Sequence, residues 1–239
     1  MMLGCRLSAL RTWAYRRTRR TLKTVKARFA TKRAQNAHAT HLPVLIGVAQ
    51  LIRPQRAIEF GCGRYSTLAF LDRTCFPDLE QLDSYETDPE WRDSVAEVIG
   101  DDPRVNLRLV EKPMSAAVGS IAFAYYDIVF IDDSHSSAER AATIAEVARH
   151  CAPANVVIIH DYEIGAYRDA SNPFRNRFCF TALNPNTGVV WNEVPIHRSE
   201  LRHLNRLIRR HSRHLDPADV RGWARVFRDY SLNDIADDL

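Results

Sequence analysis

Two four-residue runs, IVFI at 128–131 and VVII at 156–159, are apolar at every position. A strand that is apolar on both faces needs cover on both faces, as the central strands of a parallel α/β sheet have. These runs belong to a longer alternation. Candidate strands at Arg56–Gly61, Gln81–Glu86, Val105–Val110, Asp127–Asp132 and Val156–Asp161 are separated by helical stretches near Ser66–Arg73, Pro89–Ile99, Ser115–Ala124 and Ser136–Cys151. Ahead of them, His41–Ile52 (HLPVLIGVAQLI) predicts a short buried helix that ends before Pro54. Such alternation predicts an α/β fold with a doubly wound, Rossmann-like sheet and right-handed crossovers. Ligands of such sheets bind beyond the carboxyl ends of the strands, so functional residues are expected just after each one.

The alternation stops near the C-terminus. Phe178–Leu183 and Val189–Trp191 flank Asn184-Pro185-Asn186-Thr187-Gly188, a turn signal that predicts an antiparallel hairpin at one sheet edge. Residues 196–239 read as a helical extension, with Leu201, Leu204, Ile208 and Leu215 on one stripe and Arg on the other faces.

Charge divides the chain differently. Residues 1–36 carry 11 Lys and Arg and no acid, although the whole chain is only +4; the remainder holds 22 basic against 29 acidic groups. The basic character therefore belongs to an amphipathic arm, with Leu3, Leu7, Leu10, Ala14, Leu22, Val25 and Phe29 at helical steps. The arm fits a solvated helix, an interfacial helix on anionic lipid, a dimerisation element, or an Arg-rich presequence. The mildly acidic body, residues 37–195 with the helical extension, speaks against a nucleic-acid partner. No run approaches the roughly 20 apolar residues of a spanning helix. Five scattered cysteines without a C-x-x-C pair argue against a disulfide framework or structural zinc, and for a cytoplasmic setting, with the arm on a membrane surface as a peripheral option.

The first strand runs into Glu59-Phe60-Gly61-Cys62-Gly63-Arg64-Tyr65-Ser66, a G-x-G-x-x-S turn that follows a strand and opens a helix. Glycines there permit a sharp turn and close approach to a ligand, while the next helix offers free N–H groups. The second strand ends at Glu86, placed to accept hydrogen bonds from ribose hydroxyls, with Asp88 as the cap of the helix that Pro89 begins. These two features fit NAD as well as S-adenosylmethionine.

Three further features separate the two. Glu59 makes the turn E-x-G-x-G, strand four ends in Phe130-Ile131-Asp132-Asp133-Ser134-His135, and strand five in Ile159-His160-Asp161-Tyr162. With the late hairpin, this set resembles the class I S-adenosylmethionine-dependent methyltransferases over roughly Leu42 to Val194. Within that class, VFIDDSHSSAER followed by VVIIHDYE is similar to bacterial domains whose fourth strand ends in I-D-G-D-H, relatives of the cation-dependent O-methyltransferases. The resemblance implies a seven-stranded sheet with its last strand antiparallel. It also implies that Glu59, Gly61 and Gly63 line the methionine end of the cofactor, with Ser66 in the turn, Glu86 on the ribose, and Glu111-Lys112-Pro113 near the adenine. Cation-dependent members have Asp at the end of strand four and Asp-Asn at the end of strand five. Asp132 and Asp161 match, but Tyr162 stands in place of the Asn, and a phenol is a poor ligand for a hard cation such as Mg²⁺.

Methyl transfer from a sulfonium asks the protein to align donor and acceptor and to deprotonate a hydroxyl acceptor. The expected catalytic residues are His135 as general base, with Asp132 orienting it or binding a metal, and Asp161; His160 reads as a satisfied core histidine. The implied reaction is O-methylation of a small-molecule or glycan acceptor bound by residues 163–177. The alternatives are an inactive methyltransferase fold acting as a scaffold at a membrane, and an NAD-dependent oxidoreductase.

Overall fold

A computed structural model describes residues 37–229, so the reading of residues 1–36 falls outside the described residues. The chain divides into two units, Met1–Ala37 and His38–Leu239; the second holds every element below. In chain order these are α1 (Leu42–Ile52), β1 (Arg56–Phe60), α2 (Ser66–Leu71), β2 (Gln81–Glu86), α3 (Pro89–Ile99), β3 (Val105–Leu109), α4 (Met114–Val118), β4 (Ile128–Ile131), α5 (Ser137–His150), β5 (Val156–His160), α6 (Gly165–Ala170), β6 (Asn176–Phe180), β7 (Thr187–Trp191), α7 (Arg198–His211) and α8 (Val220–Asp229).

The seven strands form one sheet in the order β3-β2-β1-β4-β5-β7-β6. β1 to β5 are parallel, and β7 runs antiparallel between β5 and β6. The strand order reverses between β1 and β4, which creates the crevice where α/β sheets bind ligands.

The apolar runs sort by parity. Phe130 and Ile158 face a layer built with Leu45, Phe70, Leu204 and Trp223, from α1, α2, α7 and α8. Val129, Ile131, Val157 and Ile159 face the opposite layer, with Val118, Ile144, Val147 and Tyr167 from α4, α5 and α6. All four residues of β4 are fully buried, each contributing about 1.5–3 kcal/mol relative to exposure. A one-residue slip would exchange the two layers, so the register is strongly fixed.

Local signals set the ends. α1 starts with a proline in its first turn and stops at Arg53 in a left-handed conformation, just ahead of Pro54. α3 is capped as expected, its Asp88 side chain accepting from the amides of Glu90 and Trp91. The helix expected over 115–124 is shorter: α4 ends at Val118, and only a 3-10 turn, Phe123–Tyr125, follows. Gly119-Ser120 interrupts it, glycine being costly in a helix interior.

The hairpin exists, but its turn sits elsewhere. Phe180 pairs with Thr187, so Thr187 and Gly188 belong to β7 rather than to the turn. Gly188 serves close packing instead: a Cβ there would lie 2.4 Å from the Tyr162 ring. No helix among the described residues is long and apolar enough to cross a membrane.

Candidate active site

At the end of β1 the ladder continues one residue into the glycine turn. Gly61 N–H donates to the Tyr85 carbonyl of β2, and Asp132 N–H beyond β4 donates to the Phe60 carbonyl. Gly61 has φ +88°, and a Cβ on it would lie 2.3 Å from the Asp132 carbonyl oxygen. Only glycine combines that conformation with that approach. Gly63 N–H donates to Thr67 Oγ1 at 2.9 Å, which ties the turn to the start of α2. Ser66 is buried in that first turn.

Two carboxylates flank the turn. Glu59 is fully buried, and its Oε2 accepts from Thr67 Oγ1 at 2.7 Å and Ser84 Oγ at 2.6 Å. Its Oε1 is buried with no partner. Burial pushes the Glu59 carboxyl up to about 7, with the neighbouring Ser66, Ser84 and Thr67 hydroxyls opposing the rise. Glu86 Oε1 accepts from the amides of Thr87 at 2.6 Å and Asp88 at 2.9 Å, which fixes its carboxylate at the tip of β2. An orphaned carboxylate oxygen beside a glycine cradle, with a second anchored carboxylate at the next strand end, fits a ligand that carries an ammonium group and vicinal hydroxyls.

Glu59 should make stability depend on pH. Its carboxyl is raised from 4.5 to about 7 in the folded chain, so the folded state holds a proton that the unfolded state releases. The stabilisation is complete below pH 4.5 and is lost as pH rises to about 7. The loss amounts to about 3 kcal/mol at most. Urea unfolding between pH 4.5 and 7.5 should show this fall in the native protein and a flatter profile in Glu59→Gln.

The opposite side of the crevice is an ionic cluster. Arg140 of α5, with a side chain only 4% exposed, places Nη2 2.7 Å from Asp132 Oδ1 and Nη1 2.9 Å from Asp161 Oδ2. Its Nη2 also donates to the Ser134 carbonyl at 2.6 Å. Asp133 lies 3.8 Å from Arg140 Nε and accepts from Thr143 Oγ1 at 2.6 Å. The second oxygen of Asp132 faces His160 Nδ1 at 3.2 Å, and His160 Nε2 meets Thr40 Oγ1 at 3.1 Å. Burial works against the Asp132 charge, but His160 and Arg140 hold the carboxyl well below its usual range. Burial likewise depresses His160, and Asp132 with Asp161 more than offsets it, so the imidazole titrates above its ordinary value.

His41 completes the cluster. Its ring centroid lies 4.8 Å from that of His160 and 4.9 Å from that of Phe130. It is 1% exposed, and neither ring nitrogen has a partner. Burial, aided by His160, pushes it down to about 3, so it is neutral at physiological pH. Each unpaired buried polar group costs about 1–3 kcal/mol.

The sequence-predicted residues therefore divide. Glu59, Gly61, Gly63, Ser66 and Glu86 gather around the glycine turn, and Asp132 joins Asp161 through Arg140. His135 stands apart, exposed on the loop ahead of α5, with no hydrogen bond or ion pair among the described residues. Ser136 caps α5, its hydroxyl accepting from the Glu139 amide. Tyr162 is buried, its hydroxyl 2.7 Å from Ser171 Oγ. The residues do not fit the Mg²⁺ site that the resemblance implies: the Arg140 guanidinium already bridges Asp132 and Asp161, and Tyr162 is engaged elsewhere.

Arg140, His41 and Thr40 were not identified from the sequence. Arg140 follows the acidic strand end by one turn of an Ala-rich helix, a usable signal. His41 gives none, because only the fold brings it to residues 132 and 160.

Residues 58–162 match a family model described as a methyltransferase domain. No curated protein matches the chain. Among solved structures, an O-methyltransferase family protein from Burkholderia thailandensis is 12% identical, with 65% of this chain and 56% of that one covered and a TM-score of 0.48. The SAH-bound methyltransferase of Podospora anserina is 14% identical, with 62% and 76% covered and a TM-score of 0.49. A spermidine synthase from Thermotoga maritima is 16% identical, with 63% and 56% covered and a TM-score of 0.46. The architecture rests on the strand order and the glycine turn, not on these likenesses.

Proposed function

We propose, starting from the match of residues 58–162 to a methyltransferase domain, that the protein transfers the methyl group of S-adenosylmethionine to a hydroxyl of a small-molecule or glycan acceptor. The observation that carries this reading is the glycine turn pressed onto the Asp132 backbone, with Glu59 and Glu86 on either side of it. Glu59 Oε1 is free to accept from the ammonium of the methionine end, and the Glu86 carboxylate is held where ribose hydroxyls would reach it.

In-line displacement on a sulfonium methyl needs alignment, exclusion of water and removal of the acceptor's proton. Asp132 lies one residue past β4 beside the turn, and its contact with His160 makes a carboxylate–imidazole pair at the same rim. Whereas His135 is exposed on the loop ahead of α5, this pair lies at the ends of β4 and β5 beside the glycine turn. Arg140 orients it by holding Asp132 Oδ1 and Asp161 together. The acceptor would lie over residues 163–177, where Arg168 and Arg175 could hold an anionic or sugar-like group.

Calorimetric titration with S-adenosylmethionine, its demethylated product and NAD tests the reading. Binding of the first two and not of NAD is expected. Glu86→Ala should weaken it by the worth of a charge-assisted hydrogen bond, about 1.5–3 kcal/mol. Preference for NAD would replace the reading with an oxidoreductase, and no binding by either would leave a scaffold.

A further inference from the structure

We propose that His41, Asp132 and His160 bind one divalent transition-metal ion of the zinc, iron or cobalt type. One ligand atom from each residue lies within 4.8 Å of the others. The Asp132 Oδ2 to His160 Nδ1 distance of 3.2 Å is already that between two ligands of one ion. The widest separation must close by roughly 1.5 Å to reach the edge of a tetrahedral set with metal–ligand bonds near 2.0–2.1 Å.

Five features of the surroundings support this. His41 is buried with both nitrogens unpartnered, so either could turn to an ion without breaking a bond. His160 meets Thr40 Oγ1 through its remaining nitrogen, as ligating histidines use their second N–H on an outer oxygen. Asp132 has its remaining oxygen on Arg140, which fixes the carboxylate plane. Three carboxylates, Asp132, Asp133 and Asp161, face one guanidinium, so the cluster carries negative charge for a dication to neutralise. The Asp132 side chain is 25% exposed and opens a way in from solvent.

Two imidazoles and one carboxylate select borderline transition metals over Mg²⁺, which wants oxygen ligands. This site is on the His160 side of Asp132, whereas the pair implied by the resemblance, Asp132 and Asp161, is occupied by Arg140. An ion held here would sit at the rim where the acceptor hydroxyl is proposed to bind. A hydroxyl bound to that ion would have a lowered pKa and would give up its proton to bulk water, because Asp132 and His160 would be engaged as ligands.

Full-length protein stripped with chelator and dialysed should be titrated with Co²⁺, its visible absorption reporting coordination geometry, and then with competing Zn²⁺. One Co²⁺ per chain with a tetrahedral-type band displaced by Zn²⁺ is expected. His41→Phe, which keeps a ring against Phe130, should weaken Co²⁺ binding by about a hundredfold or more, and Thr40→Val by roughly tenfold. Lack of stoichiometric uptake, or uptake unaltered by both substitutions, would overturn the proposal. If metal-free His41→Phe does not fold, as judged by circular dichroism, the Thr40→Val comparison decides. Cofactor titration of the same samples is read independently, so failure of the metal site and failure of the methyl-transfer reading are distinct results.

Discussion

Gly61→Ala should be among the most damaging single changes in this chain, abolishing S-adenosylmethionine binding and lowering stability by about 2–5 kcal/mol. Two costs add. An L-residue in the left-handed region loses about 1–2 kcal/mol, and Gly61 sits there at φ +88°. The new methyl would also meet the Asp132 carbonyl oxygen at 2.3 Å and Asp133 Cα at 2.6 Å. Those atoms are backbone, so relief requires β1 and β4 to part at the crevice, and overpacking of this kind costs about 1–3 kcal/mol. Gly100 supplies the control, since it too has positive φ, +64°, but nothing within 4 Å of an added Cβ. Gly100→Ala should therefore show a conformational cost without a backbone clash, about 1–3 kcal/mol because φ +64° with ψ −147° is a region essentially confined to glycine, with cofactor affinity unchanged. Thermal melts and calorimetry on both variants separate the two terms. Equal losses would mean that the approach to Asp132 is not what the glycine is for.

The contrast between these glycines shows what a sequence discloses. The G-x-G-x-x-S turn is local and is flanked by a strand before it and a helix after it, so the gathering of Glu59, Gly61, Gly63, Ser66 and Glu86 was legible. The central strands were legible for a similar reason. IVFI and VVII are buried on both faces, and burial on both faces leaves a pattern within four residues. Gly188 was misread as a turn residue because Asn184-Pro185-Asn186 stands beside it. Its actual partner, the Tyr162 ring, comes from another strand end. The ionic cluster is non-local throughout: Thr40 and His41 from ahead of α1, Asp132 after β4, Arg140 on α5, and His160 at the end of β5. A single histidine ending an apolar strand reads as core, and His160 is indeed 4% exposed. What gives it chemistry is Asp132, 28 positions away, and no local pattern records that neighbour. His135 drew notice through its place in the I-D-D-S-H run, yet the chain leaves the crevice there and carries it to the surface.

Arg140→Met is expected to destabilise the protein by about 3–5 kcal/mol, the usual result of removing one partner from a buried ionic set. The guanidinium is 4% exposed and spans Asp132, Asp161 and the Ser134 carbonyl within 2.6–2.9 Å, with Asp133 at 3.8 Å. Methionine fills the same space and offers no donor, leaving three carboxylates in mutual repulsion with one cation fewer. Arg140→Lys should recover only part of the loss, because a single ammonium cannot reproduce a planar fork that meets two carboxylates and a carbonyl at once. Thr143→Val sets the scale for losing one neutral donor from the same cluster: it removes the 2.6 Å hydrogen bond to Asp133 and should cost about 1 kcal/mol. Denaturant unfolding of the three variants at neutral pH gives the order Met, Lys, Val from most to least destabilised. A methionine variant close to native stability would mean that the aspartates are hydrated well enough to dispense with the guanidinium. Arg140 would then be free of the structural role assigned to it, and the space between Asp132 and Asp161 would be open to the hard cation that Arg140 otherwise excludes.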